Sequence, residues 1–414
     1  MNFLFGKNRI YLDYSSTTPT SKKVQKAMSP FWSGLFYNPN GLYQGSVRNK
    51  KLLEGFRTRV GSFFGAHSEE VVFTSGGTES DNLAIIGSLF AYKKNNPNSI
   101  PHLIVSLIEH PAVLETAKFL EQTSEARVSY LGVDTSGVVD IDELKKILTP
   151  ETILVSIMQV NNEIGSVQPI QEIAKILRHF KKHTLANPQA LYPLFHTDAS
   201  QGVLYSETNI QKLGVDMLSC NGGKIYGPKG VGILIKKRNI PLESLFHGGN
   251  QEFGFRPGTH SLPLIAGFQM ACQELEGLKE KEIDRVGKLH DFLVVTLKTI
   301  FPTIEIHGSV TEKIPGIVSM SYPDIESDIL VLELDALGFD VSSKTACKYD
   351  DPNESYVLKA IKGVGLNEEW GTLRVSIGRD TSLQDLKRFI EALKQVIDKY
   401  KSFYKTLEKK DKIM

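Results

Sequence analysis

The chain has 414 residues, of which 41% are hydrophobic and 23% charged, and its formal net charge is +1. These proportions suit a globular protein with room for two or three domains and a large core, and the near-neutral balance gives no electrostatic reason to expect direct contact with nucleic acid or a membrane surface. Its three cysteines, Cys220, Cys272 and Cys347, stand far apart without metal-ligand spacing, so no metal site is expected and a reducing compartment fits. Residues 1–10 carry no secretory pattern, and no apolar run approaches the roughly eighteen residues that would suggest a membrane span. The expectation is a cytoplasmic protein.

From about residue 70 to 235, strand-like and helix-like runs alternate. Val71-Val72-Phe73 precedes a helical pattern over 78–94. Leu103-Ile104-Val105 precedes one over 112–121, and the run 152–157 precedes one over 170–179. Three further apolar runs follow, at 194–196, 217–219 and 231–235. This alternation predicts an α/β domain with a mostly parallel central sheet flanked by helices, which gathers ligands beyond the carboxyl ends of its strands. Residues 181–193 contain two prolines and no period, and read as a surface loop. A long helix is expected over 262–300. Short strands near 304–306, 318–321 and 373–377, a helix over 328–337 and a final amphipathic helix complete a smaller α+β domain. That last helix would open on a capping box at Thr381 and Gln384. The expected division is 15–260 for the large domain, with 1–14 and 261–414 forming the small one.

Six stretches carry possible chemistry. Thr74-Ser75-Gly76-Gly77-Thr78 ends a strand in glycines and begins a helix, with Thr78 and Asp81 fitting a capping box. It is either an anion cradle or a plain capped turn. His110 follows a strand-like run and can stack on a ring or shuttle protons, or be an ordinary loop histidine. Asn161-Asn162 could bond a ligand hydroxyl or form an Asx turn. Asp198, in His196-Thr197-Asp198-Ala199-Ser200-Gln201, is an acid at the end of an apolar run and so needs a partner. A pyridinium nitrogen would be one, and a capped turn is the other reading. Cys347 lies in a polar loop between Lys344 and Lys348, a setting that favours a nucleophilic thiolate. Cys220 and Cys272 sit in apolar surroundings and read as inert core. Arg374, on an apolar strand, needs an anion, either a substrate carboxylate or an internal acid. The whole pattern centres on Asn221-Gly222-Gly223-Lys224-Ile225-Tyr226-Gly227-Pro228-Lys229-Gly230, a lysine on a glycine-rich turn between two apolar runs.

Taken together, the motifs TSGGTESDN, VNNEIG, HTDASQ, KIYGPKG and FRPGTHSLP resemble the group I cysteine desulfurases, the NifS/IscS-like branch of the class V aminotransferases. The resemblance runs from Ile10 to about Arg379. It implies a pyridoxal 5'-phosphate enzyme of fold type I, a homodimer that converts L-cysteine to L-alanine. It implies Lys224 as the Schiff-base lysine, Asp198 as the pyridinium partner and His110 as the ring-stacking acid/base. Asn162 and Gln201 would bond the ring hydroxyl. Gly77, Thr78 and Asn221 would hold the phosphate, with Thr259 reaching in from a second subunit. Asn38 and Arg374 would clamp the substrate carboxylate. Cys347 would carry a persulfide and pass its sulfur to an iron–sulfur scaffold or another acceptor, such as a tRNA thiolation protein. A selenocysteine lyase, another class V enzyme on the same cofactor, or a degenerate sulfur-trafficking partner are the alternatives. One departure stands out. The family usually reads Ser-Gly-His-Lys before and at the lysine, where this chain reads Asn221-Gly222-Gly223-Lys224. Gly223 has no side chain to offer a phosphate.

Overall fold

A computed structural model describes residues 9–183, 191–323, 325–343, 355–362 and 370–411. The chain divides into two compact units. The larger comprises Thr18–Asn161 and Ser166–Lys279, and the smaller comprises Met1–Thr17, Asn162–Gly165 and Glu280–Met414. The division falls inside the helix Leu262–Ile300 rather than before it, where the change in sequence texture at 260/261 had suggested a border.

The larger unit is built on a seven-stranded sheet. Across it the order is Val71–Thr74, Gly232–Lys236, Met217–Asn221, Leu194–Asp198, Thr152–Ser156, His102–Ser106 and Arg127–Leu131. Six strands share one direction and Gly232–Lys236 runs against them. The interior strands are buried along their whole length, save Asn221 at the end of Met217–Asn221, which is why they read as continuous apolar runs rather than alternating ones. The edge strand Arg127–Leu131 is partly exposed and more polar. Phe195, Ile104, Val155, Leu218 and Ile233 belong to one continuous core, and each such side chain stabilises the fold by about 1.5–3 kcal/mol.

Two imidazoles replace apolar side chains in this sheet. His196 is hydrogen-bonded at 2.8 Å to both the Ser156 and Ser219 hydroxyls, and His102 is held in the same way by Thr152 and Ser129. Burial pushes both rings down to about 4, so both are neutral near pH 7.

The sheet's topology gathers the strand ends. Thr74, Ser106, Asp198 and Asn221 all close strands of the common direction, so the segments after them emerge along one edge. The helices Gly77–Asn95 and Pro111–Gln122 start from that edge and pack on one another. The expected capping box at Thr78 and Asp81 does not form. The helix begins at Gly77 with no side-chain cap, Thr78 is exposed, and Glu79 reaches back to the Ser75 N–H at 2.8 Å. Starting at Gly77 puts Asp81 in the second turn, where it is buried 3.7 Å from the His196 ring.

In the smaller unit, Ile317–Tyr322 lies between Gly371–Ser376 and Glu305–Ile306 in an antiparallel sheet, and Ile10–Tyr11 pairs in parallel with Phe339–Asp340. The helix Leu383–Asp411 buries Leu386, Phe389, Ile390, Leu393, Val396 and Ile397 at the expected spacing. Its capping box sits one residue later than expected. Ser382 and Asp385 exchange bonds, with each backbone N–H donating to the other's side chain, whereas the Thr381 hydroxyl accepts from the Gly378 N–H at 3.1 Å. The reason is chemical: Asp385, an acid in the first turn, is the better partner for the helix start than Gln384.

Candidate active site

Lys224 closes a short 3-10 turn, Gly222–Lys224, that follows the strand Met217–Asn221. Asn221 caps this turn, its side-chain oxygen accepting the Gly223 N–H at 3.0 Å. A Cβ on Gly222 would lie 2.7 Å from the Pro228 carbonyl oxygen and 3.0 Å from that of Val231, so only glycine lets the chain fold back so closely.

The turn is strapped from a distant segment by Thr18. The Thr18 N–H and hydroxyl both donate to the Gly223 carbonyl, at 2.8 and 3.0 Å. The same hydroxyl accepts the Tyr226 N–H at 2.7 Å, and the Thr18 carbonyl accepts Lys229 Nζ at 2.6 Å. Tyr226 itself adopts φ 61°, a conformation this strap stabilises. Thr18 is fully buried, and nothing in the local sequence marks it as a neighbour of Lys224.

Asp198 ends its strand buried, with its carboxylate accepting the Ser200 N–H at 2.9 Å. His110 caps the helix Pro111–Gln122: its Nδ1 accepts the Ala112 N–H at 3.1 Å. That bond leaves the proton of the neutral ring on Nε2. Burial holds the ring's pKa below the ordinary histidine range. The nearby Asp198 charge opposes this shift and the Lys224 charge adds to it. His110, Asp198 and Lys224 are therefore electrostatic neighbours, as their positions after separate strands suggested. Two further acids lie behind Asp198. Glu109 is wholly buried, accepts the Met158 N–H at 2.8 Å and the Ser106 hydroxyl at 2.5 Å, and is pushed up to about 8 by burial. Asp81 is raised by burial first and then by the Asp198 charge. Glu109 therefore keeps its proton near neutral pH, and Asp81 is shifted in the same direction.

Gly77 opens the 19-residue helix Gly77–Asn95, whose first N–H groups carry the positive end of the helix dipole. A Cβ there would lie 3.3 Å from Ser200 Oγ, 3.4 Å from Asn221 Cβ and 3.8 Å from Asn221 Nδ2. The uncapped helix start, the Ser200 hydroxyl and the Asn221 amide thus lie together beside Gly77, a donor set that fits a phosphate. Ser200 was not singled out in the sequence.

The remaining expected residues are placed as follows. Gln201 directly follows Ser200 and is half-buried. Asn38 is exposed in a turn, its Oδ1 accepting the Asn40 N–H at 3.0 Å. Thr259 is exposed in the segment after Glu252. That segment is anchored by Arg57, which grips the Glu252 carboxylate at 2.7 Å through two nitrogens while lying about 5 Å from the Phe73 and Phe253 rings. The Arg57–Glu252 pair is a further feature the sequence did not reveal.

In the smaller unit, Arg374 is buried and takes the internal acid of the two readings open for it. It bonds Asp13 at 2.9 Å, the Ser16 hydroxyl at 2.8 Å and the Asn162 carbonyl at 3.0 Å, and its Nε has no partner among the described residues. The neighbouring Glu163 accepts the hydroxyl of Ser355, which caps the helix Tyr356–Lys362. Cys347, with its flanking lysines, lies outside the described residues. Cys220 and Cys272 are buried and their thiols are pushed up by burial, as expected of inert core. Among the described residues, no cluster of three or more metal-ligating side chains occurs, and no helix is long and apolar enough to cross a membrane.

This fold and this constellation define a cofactor-dependent enzyme built on a mostly parallel sheet. The chain belongs to the aminotransferase class-V family, whose model matches residues 10–389, and members of that family are pyridoxal phosphate enzymes. It is 37% identical over 396 residues to the cysteine desulfurase IscS of Dictyoglomus turgidum, covering 96% of each chain. It is 36% identical to a mitosomal cysteine desulfurase of Trachipleistophora hominis, covering 94% of this chain and 86% of that one. Among solved structures, a NifS-like protein superposes with a TM-score of 0.84 at 30% identity, over 94% of this chain and all of the other. A structure described as SspA in complex with cysteine matches with a TM-score of 0.74 at 31% identity, over 89% of this chain and 99% of that one.

Proposed function

We propose that this chain is a pyridoxal 5'-phosphate-dependent cysteine desulfurase, converting L-cysteine to L-alanine and carrying the released sulfur as a persulfide on Cys347. The observation that carries this reading is the convergence, at one sheet edge, of Lys224, Asp198, His110 and the donor space beside Gly77. Relatives named as cysteine desulfurases across nearly the whole chain support it.

Bound pyridoxal phosphate supplies a sink for the electrons released when the substrate's Cα loses its proton. Lys224 would hold the cofactor and move that proton. Asp198 would keep the ring nitrogen protonated, and His110, neutral with its proton on Nε2, would stack on the ring and donate. Gln201 and Asn162 would bond the ring hydroxyl. Gly77, Thr78 and Asn221, with Thr259 from a second subunit, would hold the phosphate. Asn38 and Arg374 would take the substrate carboxylate, for which Arg374 must exchange Asp13 or use its unpartnered Nε. The Cys347 thiolate attacks the substrate sulfur. An S–S bond forms as the substrate's carbon–sulfur bond breaks, the electron pair stays on carbon, and carbon takes a proton to leave as alanine. The persulfide sulfur then passes to an iron–sulfur scaffold or another acceptor protein.

The working form is a cytoplasmic homodimer. Trp32, Phe36, Leu42 and Tyr43 are all exposed within one short segment of the larger unit, which supports a partner surface there. Incubation of the cofactor-loaded protein with L-cysteine tests the activity. Wild type should form alanine, and Lys224→Ala should lose it by on the order of a thousandfold. Equal alanine formation by Lys224→Ala and wild type would overturn the reading.

A further inference from the structure

We propose that Ser200 is a phosphate-binding residue of this chain, its hydroxyl joining the Asn221 amide over the start of the helix Gly77–Asn95 to hold the cofactor's phosphate monoester without any side chain from position 223. The proposal rests on the pyridoxal phosphate reading and extends it to a residue to which that reading gives no role.

Ser200 is 8% exposed, and its hydroxyl makes no hydrogen bond among the described residues; only its backbone N–H is engaged, by Asp198 at 2.9 Å. The residue is buried while its hydroxyl is left free to bond a ligand. The geometry says which ligand. Ser200 Oγ lies 3.3 Å from where a Gly77 Cβ would stand, and Asn221 Nδ2 lies 3.8 Å from the same point. Asn221 spends its Oδ1 on the Gly223 N–H, so the group it has left to offer is its donor NH2. No side chain caps the helix start, so its first amides also await an acceptor. Two side-chain donors set close to a positive helix end call for an anion with several acceptor oxygens. A carboxylate would satisfy fewer of these donors than a phosphate. Gly223, next in the turn, contributes backbone alone, so the side-chain donors come from Asn221 and Ser200.

The test is reconstitution of apoprotein with pyridoxal phosphate and, separately, with pyridoxal, which lacks the phosphate. Affinities are read from the visible absorbance of the bound cofactor, and circular dichroism checks the fold of each variant. Ser200→Ala should weaken pyridoxal phosphate binding roughly tenfold, the worth of one hydrogen bond to a charged group, and leave pyridoxal binding unchanged. Inorganic phosphate should compete with pyridoxal phosphate in wild type and less well in Ser200→Ala. Adding Gly223→His to Ser200→Ala should recover most of the lost affinity by returning a donor to the same anion. Equal loss of both ligands in Ser200→Ala would make the residue structural and overturn the proposal, as would an unchanged pyridoxal phosphate affinity. Should Ser200→Ala misfold, an absence of phosphate competition in wild type would overturn it instead. If wild-type apoprotein bound no pyridoxal phosphate, the functional reading would fall as well, an outcome distinct from failure at Ser200 alone.

Discussion

Lys224 is held by contacts that its own sequence neighbours do not supply. Thr18, 208 residues from Tyr226, makes four hydrogen bonds to the turn and has no other evident task. Thr18→Ala removes the hydroxyl from a buried network and leaves the Tyr226 N–H without its acceptor. The expected outcome is a loss of about 1–3 kcal/mol in denaturant unfolding. A fall in kcat larger than any rise in KM should accompany it, because the lysine is then less well aimed. That Lys224, Asp198 and His110 lie near one another was legible because each stands just past an apolar run, at the edge where the parallel strands end. Thr18 and Ser200 were not, because a hydroxyl's role depends on which distant backbone the fold sets beside it. Arg374 was legible as an arginine in need of an anion, but composition alone could not choose between a substrate and Asp13.

At the scale of elements, helix and strand positions followed from apolar periodicity, while caps did not. Two capping boxes were misplaced by a residue or did not form, since capping depends on where the preceding backbone leaves its extended conformation. Buried polar pairs inside the elements were hidden for a related reason: nothing local distinguishes Arg57 from a surface arginine on the helix Gln44–Phe63. Arg57→Ala would leave the buried Glu252 carboxylate with only the Phe73 N–H and the His260 ring, and urea unfolding should show a loss of roughly 3–5 kcal/mol. Two buried titratable groups of the larger unit give the fold opposing pH dependences. His196 titrates at about 4 in the fold against an ordinary 6.5, so the unfolded chain binds the extra proton between those values. Its contribution is complete above pH 6.5 and is lost as the pH falls towards 4. Glu109 has the opposite sign. Held at about 8 against an ordinary 4.5, it favours the fold at low pH, and that contribution is lost as the pH rises through 8. Glu109→Gln keeps an acceptor for Met158 N–H but cannot ionise, so its melting temperature should gain on wild type steadily between pH 5 and 8. A constant difference across that range would show that Glu109 does not titrate in this way.

For the whole molecule, the α/β character of the larger unit and the α+β character of the smaller were readable from the change of texture near residue 260. The exact division was not, because it falls within one uninterrupted helix. The exposed segment with Phe36, 66% exposed, and Leu42, 97% exposed, is the feature a lone chain explains least well. Leu42→Glu combined with Phe36→Glu should convert a dimer of the 46.1 kDa chain into a monomer in sedimentation. An unchanged dimer would move the partner surface elsewhere. The central claim concerns sulfur. Purified protein loaded with pyridoxal phosphate should be given L-cysteine without a reductant, with alanine measured alongside mass spectrometry of the Cys347 peptide. The account predicts one alanine for each sulfur atom added to Cys347 in the first turnover, and no such adduct in Cys347→Ala. A loaded enzyme that forms no alanine, or forms it with Cys347 left unmodified and dispensable, would contradict it.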